Sequence, residues 1–274
     1  MKLKQSVKII FSVILVVAVF FTSYGVSYRV EKKKLSTNSL RTASPVDAEQ
    51  TQPVTLAPQN TTESPTEPVS DGGKTEDKLP EPTVVNMPSD DSWSLVLLNK
   101  YYKMNDTYEP HLDECLENTS VYLDKRVAEK FLEMYNAALG SGVTLTPVSG
   151  YVSPDRQKRS FDKQVEAFVS DSYTTEKAES LASFTVLPVG CSEHNYGLAI
   201  DIGHRSADFS ESSAYAWLKE NAASYGFIER YTAEKESITH FNASPWHWRY
   251  VGVEAAKDIV SKGVCLEEYV GKVN

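Results

Sequence analysis

From about Ser36 to Ser92 the chain is rich in Pro, Thr, Ser, Glu and Asn and poor in large apolar side chains, as in Ala43-Ser-Pro-Val and Glu63-Ser-Pro-Thr-Glu-Pro. Such a tract cannot bury enough apolar surface to offset the entropy of ordering its backbone. It is expected to be a disordered linker over residues 35–92, semi-extended because of its prolines. The core is thereby confined to one globular domain, residues 93–274, where aromatic and aliphatic residues recur with regular spacing.

Ahead of the linker, Ile9 to Val26 is an 18-residue run without a charge, preceded by Lys2, Lys4 and Lys8 and followed by Arg29, Lys32, Lys33 and Lys34. A run of that length is near the lower limit for a spanning helix. Ser23-Tyr24-Gly25 is a poor small-x-small cleavage site, so a retained single-pass membrane anchor over residues 1–34 is expected in preference to a cleaved signal peptide. The flanking lysines read as an interfacial collar. Residues 35–274 carry 21 Lys and Arg against 36 Asp and Glu, a net charge of −15. That balance argues against nucleic acid as a partner.

Within the domain, Asp124 opens a helix that places Val127, Phe131, Tyr135 and Ala138 on one face, and Gly140 closes it. Thr144 to Tyr151 reads as a strand. Ser153-Pro154 reads as a helix start, with Phe161, Val165 and Phe168 following at helical spacing. Leu198–Ile202 and Trp246–Val251 are strand-like, Ala214–Tyr225 is helical and ends at Gly226, and Val253–Ser261 is a last helix stopped by Gly263. Short strands at irregular intervals between helices predict an α+β fold and not a regular βαβ series. Cys115, Cys191 and Cys265 are an odd number without a C-x-x-C spacing, and all three are expected to be buried structural thiols.

Asp201 lies inside the apolar run Gly197-Leu-Ala-Ile-Asp-Ile, where alternation puts Ala199 and Asp201 on one face and Leu198, Ile200 and Ile202 on the other. A carboxylate in a half-buried strand costs several kcal/mol unless it is paired or binds a cation. His194 stands seven residues earlier, across a turn at Asn195 to Gly197, close enough to converge on it. In Trp246-His-Trp-Arg-Tyr, alternation sends the tryptophans to a core and His247 to a cleft. Two histidines and one carboxylate suffice to hold a catalytic zinc with a coordination position left for water.

Ser192-Glu-His-Asn-Tyr-Gly-Leu-Ala-Ile-Asp201 resembles the S-x-H-x-x-G-x-A-x-D signature of VanY-type D-alanyl-D-alanine carboxypeptidases. Pro245-Trp-His-Trp-Arg-Tyr-Val-Gly252 resembles that family's second motif, and Ser149-Gly-Tyr-x-Ser-x-x-x-Gln157 a third, in the family order over about residues 95–270. The resemblance implies a zinc D,D-peptidase (Hedgehog/D,D-peptidase-like) fold, a small antiparallel sheet with flanking helices. It further implies Zn²⁺ held by His194, Asp201 and His247, with Ser192 and Gln157 lining the substrate pocket. The implied substrate is a peptidoglycan stem peptide ending in D-Ala-D-Ala. Work outside the cytoplasmic membrane, from a domain tethered to it by the N-terminal helix, goes with that.

The resemblance also exposes two departures. Where the family has the glutamate of E-x-W-H, the general base, this chain has Ser244, and where S-G-Y-R-S has its arginine, it has Val152. A positioned base is typically worth ~10² to 10⁴ in rate, and an oxyanion donor ~2.7–4 kcal/mol. Two readings therefore stand: a zinc carboxypeptidase with an altered acid/base group, for which Glu193, Glu234, Glu236 or His240 are substitute bases, and a catalytically inactive, membrane-tethered module that binds zinc or stem peptides. Arg156 is a further cation four residues after Val152, with no sequence-level reason to enter the same pocket.

Overall fold

A computed structural model of the protein describes residues 78–274. The expected membrane segment and most of the expected linker lie outside the described residues. No described helix is long and apolar enough to cross a membrane. The chain joins the fold upstream of the expected boundary at Trp93: β1 (Thr83–Val85) pairs in parallel with β2 (Tyr102–Met104), and a 3₁₀ turn over Asp91–Leu95 is capped by Asp90. Val84 and Val85 supply β-branched residues to that pairing within a tract that is otherwise Pro- and Ser-rich.

A second two-stranded ribbon, β3 (Leu112–Glu114) and β4 (Tyr122–Asp124), leads into α1 (Lys125–Gly140). Asp124 caps α1 by accepting from the Arg126 amide, as its sequence position predicts. Val127, Phe131, Met134 and Ala138 are fully buried on its inner face, with Tyr135 packed beside them. Truncating a fully enclosed Phe131 to Ala would cost ~3–5 kcal/mol.

The centre of the domain is a four-stranded antiparallel sheet in the order β5 (Pro147–Ser149), β6 (Ala199–Ile202), β8 (His247–Tyr250), β7 (Phe227–Glu229). Leu198, Ile200, Ile202, Trp248 and Tyr250 point from one face into the core formed with α1. The opposite face carries Asp201, His247 and Arg249. Alternation thus sorts apolar from functional side chains within two strands whose residues are all buried.

Further helices complete the shell. α2 (Pro154–Ser170) starts at the Ser153 cap and packs on α3 (Thr175–Ala182), with Phe168 edge-on to Tyr173. Phe161, Val165 and Phe168 do not enter the main core; they are half-buried in this helical pair, and Gln157 is the one buried residue of α2. α4 (Ser213–Asn221) runs into a 3₁₀ turn ended by Gly226 in the left-handed region. The short α5 (Glu236–Thr239) precedes β8. α6 (Val253–Lys262) and α7 (Leu266–Tyr269) bury Ala256, Ile259 and Leu266 against Ile228 and Val251 in a second apolar cluster. All three cysteines are buried and free, as expected, and burial pushes the Cys191 thiol up to about 12.

Candidate metal centre

Asp201 of β6 and His247 of β8 are direct cross-strand partners, and Ser149 of β5 lies opposite Asp201 on its other side. His194 comes from a 3₁₀ turn over Glu193–Tyr196 immediately before β6. The turn ends at Gly197, with φ +66°, and a Cβ there would collide with the backbone at Leu123 and Asp124. Glycine is needed because the Asp124 amide must approach closely enough to donate to the Gly197 carbonyl at 3.0 Å. That approach folds His194 back over the end of the sheet.

His194 Nε2 and His247 Nδ1 lie 3.2 and 3.0 Å from the same oxygen, Asp201 Oδ1. One ligand atom from each residue falls within 4.8 Å of the others. Ligand atoms ~2.0–2.1 Å from a tetrahedral ion are ~3.4 Å apart, so this spacing fits a single small divalent cation. His194 Nδ1 bonds the Gly150 carbonyl at 2.6 Å, which fixes the ring with Nε2 toward Asp201. The Asp201 side chain is 4% exposed and that of His194 is 13% exposed, so the cluster opens toward solvent on the His194 side.

Glu193, considered from sequence as a substitute base, holds a different post. Its Oε2 accepts from His247 Nε2 at 3.1 Å, and its Oε1 accepts from Arg230 Nε at 2.7 Å and Arg249 Nη1 at 2.9 Å. The side chain is 1% exposed. Burial alone would raise its pKa, but Arg249 and Arg230, with His247, outweigh that and hold it far below the ordinary carboxylate range. A carboxylate so engaged orients the imidazole and does not take up a proton near neutral pH. Arg230 also forks onto both oxygens of Glu267 in α7, and Arg249 donates to the Ser94, Val96 and Tyr250 carbonyls.

Asp201 and His247 are themselves shifted. Burial would raise the Asp201 carboxyl, but His194, His247 and Arg205 outweigh it and depress it well below its usual value. Burial would lower the His247 imidazole, but the hydrogen-bonded carboxylates of Asp201 and Glu193 outweigh it and raise it above 6.5.

The remaining sequence-selected residues are near the cluster or outside it in informative ways. Ser192 caps the 3₁₀ turn, its Oγ accepting from the His194 amide at 3.3 Å. Val152 donates from its amide to the His194 carbonyl and accepts from Asn195 Nδ2, and its side chain is buried. Gln157 donates to the Leu187 carbonyl. Ser244 is 5% exposed and its hydroxyl donates to the Asn242 carbonyl at 3.0 Å; its own carbonyl accepts from the His247 amide. Glu234 and Glu236 are exposed, and Glu236 accepts from the Ala243 amide; His240 Nε2 lies 3.2 Å from the Asn274 carbonyl. Among the described residues, none of these last three is bonded to the cluster.

Two contacts of the centre escaped the sequence reading: Glu193 as the partner of His247, and Arg205, whose Nε donates to Asp201 Oδ2 at 2.7 Å. The signals for both are an acidic residue beside a candidate-ligand histidine and a cation four residues beyond a candidate-ligand carboxylate, and neither spacing is specific.

The sequence model of the VanY D-alanyl-D-alanine carboxypeptidase family matches residues 120–253. A D-alanyl-D-alanine carboxypeptidase of Enterococcus faecalis is 35% identical over 178 residues, which span 65% of this chain and 66% of that relative. A bifunctional D-Ala-D-Ala dipeptidase and D-Ala-D-Ala carboxypeptidase of Enterococcus gallinarum is 32% identical over 64% of this chain and 93% of its own length. Among solved structures, a mutant of the vancomycin-resistance D,D-pentapeptidase VanY in complex with Zn(II) is 38% identical, with a TM-score of 0.57 over 65% of this chain and 99% of that one. A VanY structure in complex with D-alanine-D-alanine is 37% identical, with a TM-score of 0.56 over 65% of this chain and 98% of that one.

Proposed function

Because the chain belongs to the VanY family of D-alanyl-D-alanine carboxypeptidases, we propose that it holds Zn²⁺ through His194, Asp201 and His247 and acts on peptidoglycan stem peptides ending in D-Ala-D-Ala. The observation that carries this reading is the shared oxygen of Asp201, 3.2 Å from one imidazole and 3.0 Å from the other. Such a metal, when bound, polarises the scissile carbonyl and acidifies a coordinated water. The family's zinc-bound and D-alanine-D-alanine-bound structures support both the ion and the peptide.

The residues of this chain set the pace of the reaction. Gly150 and Glu193 fix the two imidazoles from behind, so both ligand nitrogens face Asp201 without rotation. Ser192 keeps its hydroxyl hydrogen to donate to the peptide while its oxygen caps the turn. Ser244 stands in the place of the family's base glutamate and carries no titratable group, and Val152 replaces the arginine. Glu193 is locked, and Glu234, Glu236 and His240 bond elsewhere. The domain accordingly binds the peptide and cleaves it slowly, ~10² to 10⁴ below a member with a positioned base.

The place of work we propose is outside the cytoplasmic membrane, with the apolar run Ile9 to Val26 as a single-pass anchor. The reading is tested with the zinc-loaded chain and a peptide ending in Lys-D-Ala-D-Ala, following free D-alanine. Slow release that His247→Ala abolishes and Ser244→Glu accelerates supports it. Zinc-dependent peptide binding with no release in either background would instead make this a binding module.

A further inference from the structure

Val152 is a buried, uncharged side chain, and a peptide that ends in a free carboxylate is held most strongly by a charge-assisted hydrogen bond from a cation near the metal. Arg205, Arg230 and Arg249 touch the cluster or Glu193. Arg230 and Arg249 have their guanidinium groups bonded to Glu193, Glu267 and backbone carbonyls and are fully buried. Arg156 is exposed on the first turn of α2, and its side chain bonds no cluster residue among those described.

Arg205 differs from all of these. Its Nε is held by Asp201 Oδ2 at 2.7 Å, its side chain is 38% exposed, and its Nη groups donate to no acceptor among the described residues. The loop that carries it is set by Gly203, at φ +78°, where a Cβ would collide with the Phe209 ring. The Gly203 amide is tied to the Thr146 carbonyl, and neighbouring His204 is occupied by Asp208 at 3.0 Å. A planar fork with one edge pinned on a ligand carboxylate and the other open to solvent is suited to a second carboxylate.

We propose that Arg205 binds the terminal carboxylate of the peptide substrate, and so supplies from the exit of β6 the cation that Val152 does not. This rests on the reading of the substrate as a peptide with a free C-terminus, and it adds a residue that the sequence motifs do not contain.

The test uses the full chain loaded with zinc and two probes, acetyl-Lys-D-Ala-D-Ala as the free acid and as the C-terminal amide, with affinities by calorimetry. Zinc affinity is measured separately by chelator competition in the wild type, Arg205→Gln and Arg205→Lys. The wild type is expected to prefer the acid by about 10- to 100-fold. Arg205→Gln should abolish that preference while leaving the amide affinity unchanged, and Arg205→Lys should keep part of it. If Arg205→Gln weakens zinc and both peptides alike, Arg205 serves only Asp201 and the proposal fails. An unchanged acid preference in Arg205→Gln also overturns it. A wild type that binds zinc but neither peptide overturns the substrate reading itself, and this is seen before any variant is made.

Discussion

Asp201 and His247 face each other as register partners on adjacent antiparallel strands, with Oδ1 and Nδ1 3.0 Å apart. This pair of candidate ligands is therefore part of the sheet ladder, and of the three clustered residues only His194 comes from a turn. Zinc should stabilise the folded chain by mass action, ~2.7 kcal/mol at a free concentration one hundred times Kd. Asp201→Asn should remove that stabilisation, read as loss of the zinc-dependent rise in Tm. An undiminished rise in the variant would mean that the ion binds elsewhere.

Glu193→Gln should weaken zinc by ~10- to 100-fold, the usual effect of losing the carboxylate behind a ligand histidine. It should also destabilise the metal-free chain by ~3–5 kcal/mol, because Arg230 and Arg249 would lose a buried counter-charge. Denaturant unfolding gives the second number and chelator competition the first. Equal zinc affinity in the variant would show that His247 is oriented without Glu193.

Zinc binding should strengthen as pH rises through the neutral range. The pKa of His247 is raised above 6.5 in the metal-free fold, so its proton competes with the ion to a higher pH than an ordinary imidazole would allow. By the same linkage, the stability from protonated His247 is fully present below 6.5 and is lost as pH rises through the folded-state value. Apparent Kd measured across this range should fall with pH; a flat profile would show that no proton is displaced.

Acid should unfold the domain through Glu267 and Glu193. Burial would raise the Glu267 carboxyl, but Arg230 and the Asn99 hydrogen bond outweigh it and place it below 4.5. A depressed carboxyl contributes stability above its unfolded value, and that stability is lost as pH falls through the folded-state pKa. Tm should therefore fall below about pH 4.5, and Glu267→Gln should lower Tm at neutral pH while flattening the acid limb. An acid limb of unchanged slope in the variant would assign the effect to other groups.

Gly197→Ala should destabilise the fold and loosen the metal site together. The position is left-handed, and the added methyl group would meet the Asp124 backbone. The left-handed region costs a non-glycine residue ~1–3 kcal/mol before any clash. A normal Tm with normal zinc affinity would show that the Gly197 turn is not what places His194.

The parts of this molecule legible in the sequence are those governed by local rules. The start of α1 follows from one capping aspartate and an apolar stripe, and the convergence of His194 and His247 on Asp201 follows from a carboxylate that an apolar strand cannot hold unaided. α2 has the same kind of stripe, but its apolar residues cover α3 at the edge of the domain and never reach the core. The strand expected over Thr144–Tyr151 shrinks to Pro147–Ser149, because the pairing is irregular there and the chain turns away, bringing the Gly150 carbonyl to His194. The partners of Glu193 lie 37 and 56 residues downstream, and no periodicity relates them. Its nearness to His194 suggested a proton acceptor, and only the fold reveals a strut.

The Glu193–Arg230–Glu267 chain of contacts also bears on timing. Glu267 belongs to α7, 37 residues downstream of Arg230. During synthesis, Arg230 leaves the ribosome before Glu267, its second buried counter-ion, and β8 with His247 and Arg249 emerges ahead of Glu267 as well. The buried charges of Glu193, Arg230, Arg249 and Glu267 balance only when α7 docks, so α7 supports the candidate centre from behind. Removing α7 would accordingly leave Arg230 short of a buried counter-charge behind the candidate metal centre, although α7 supplies none of its three residues.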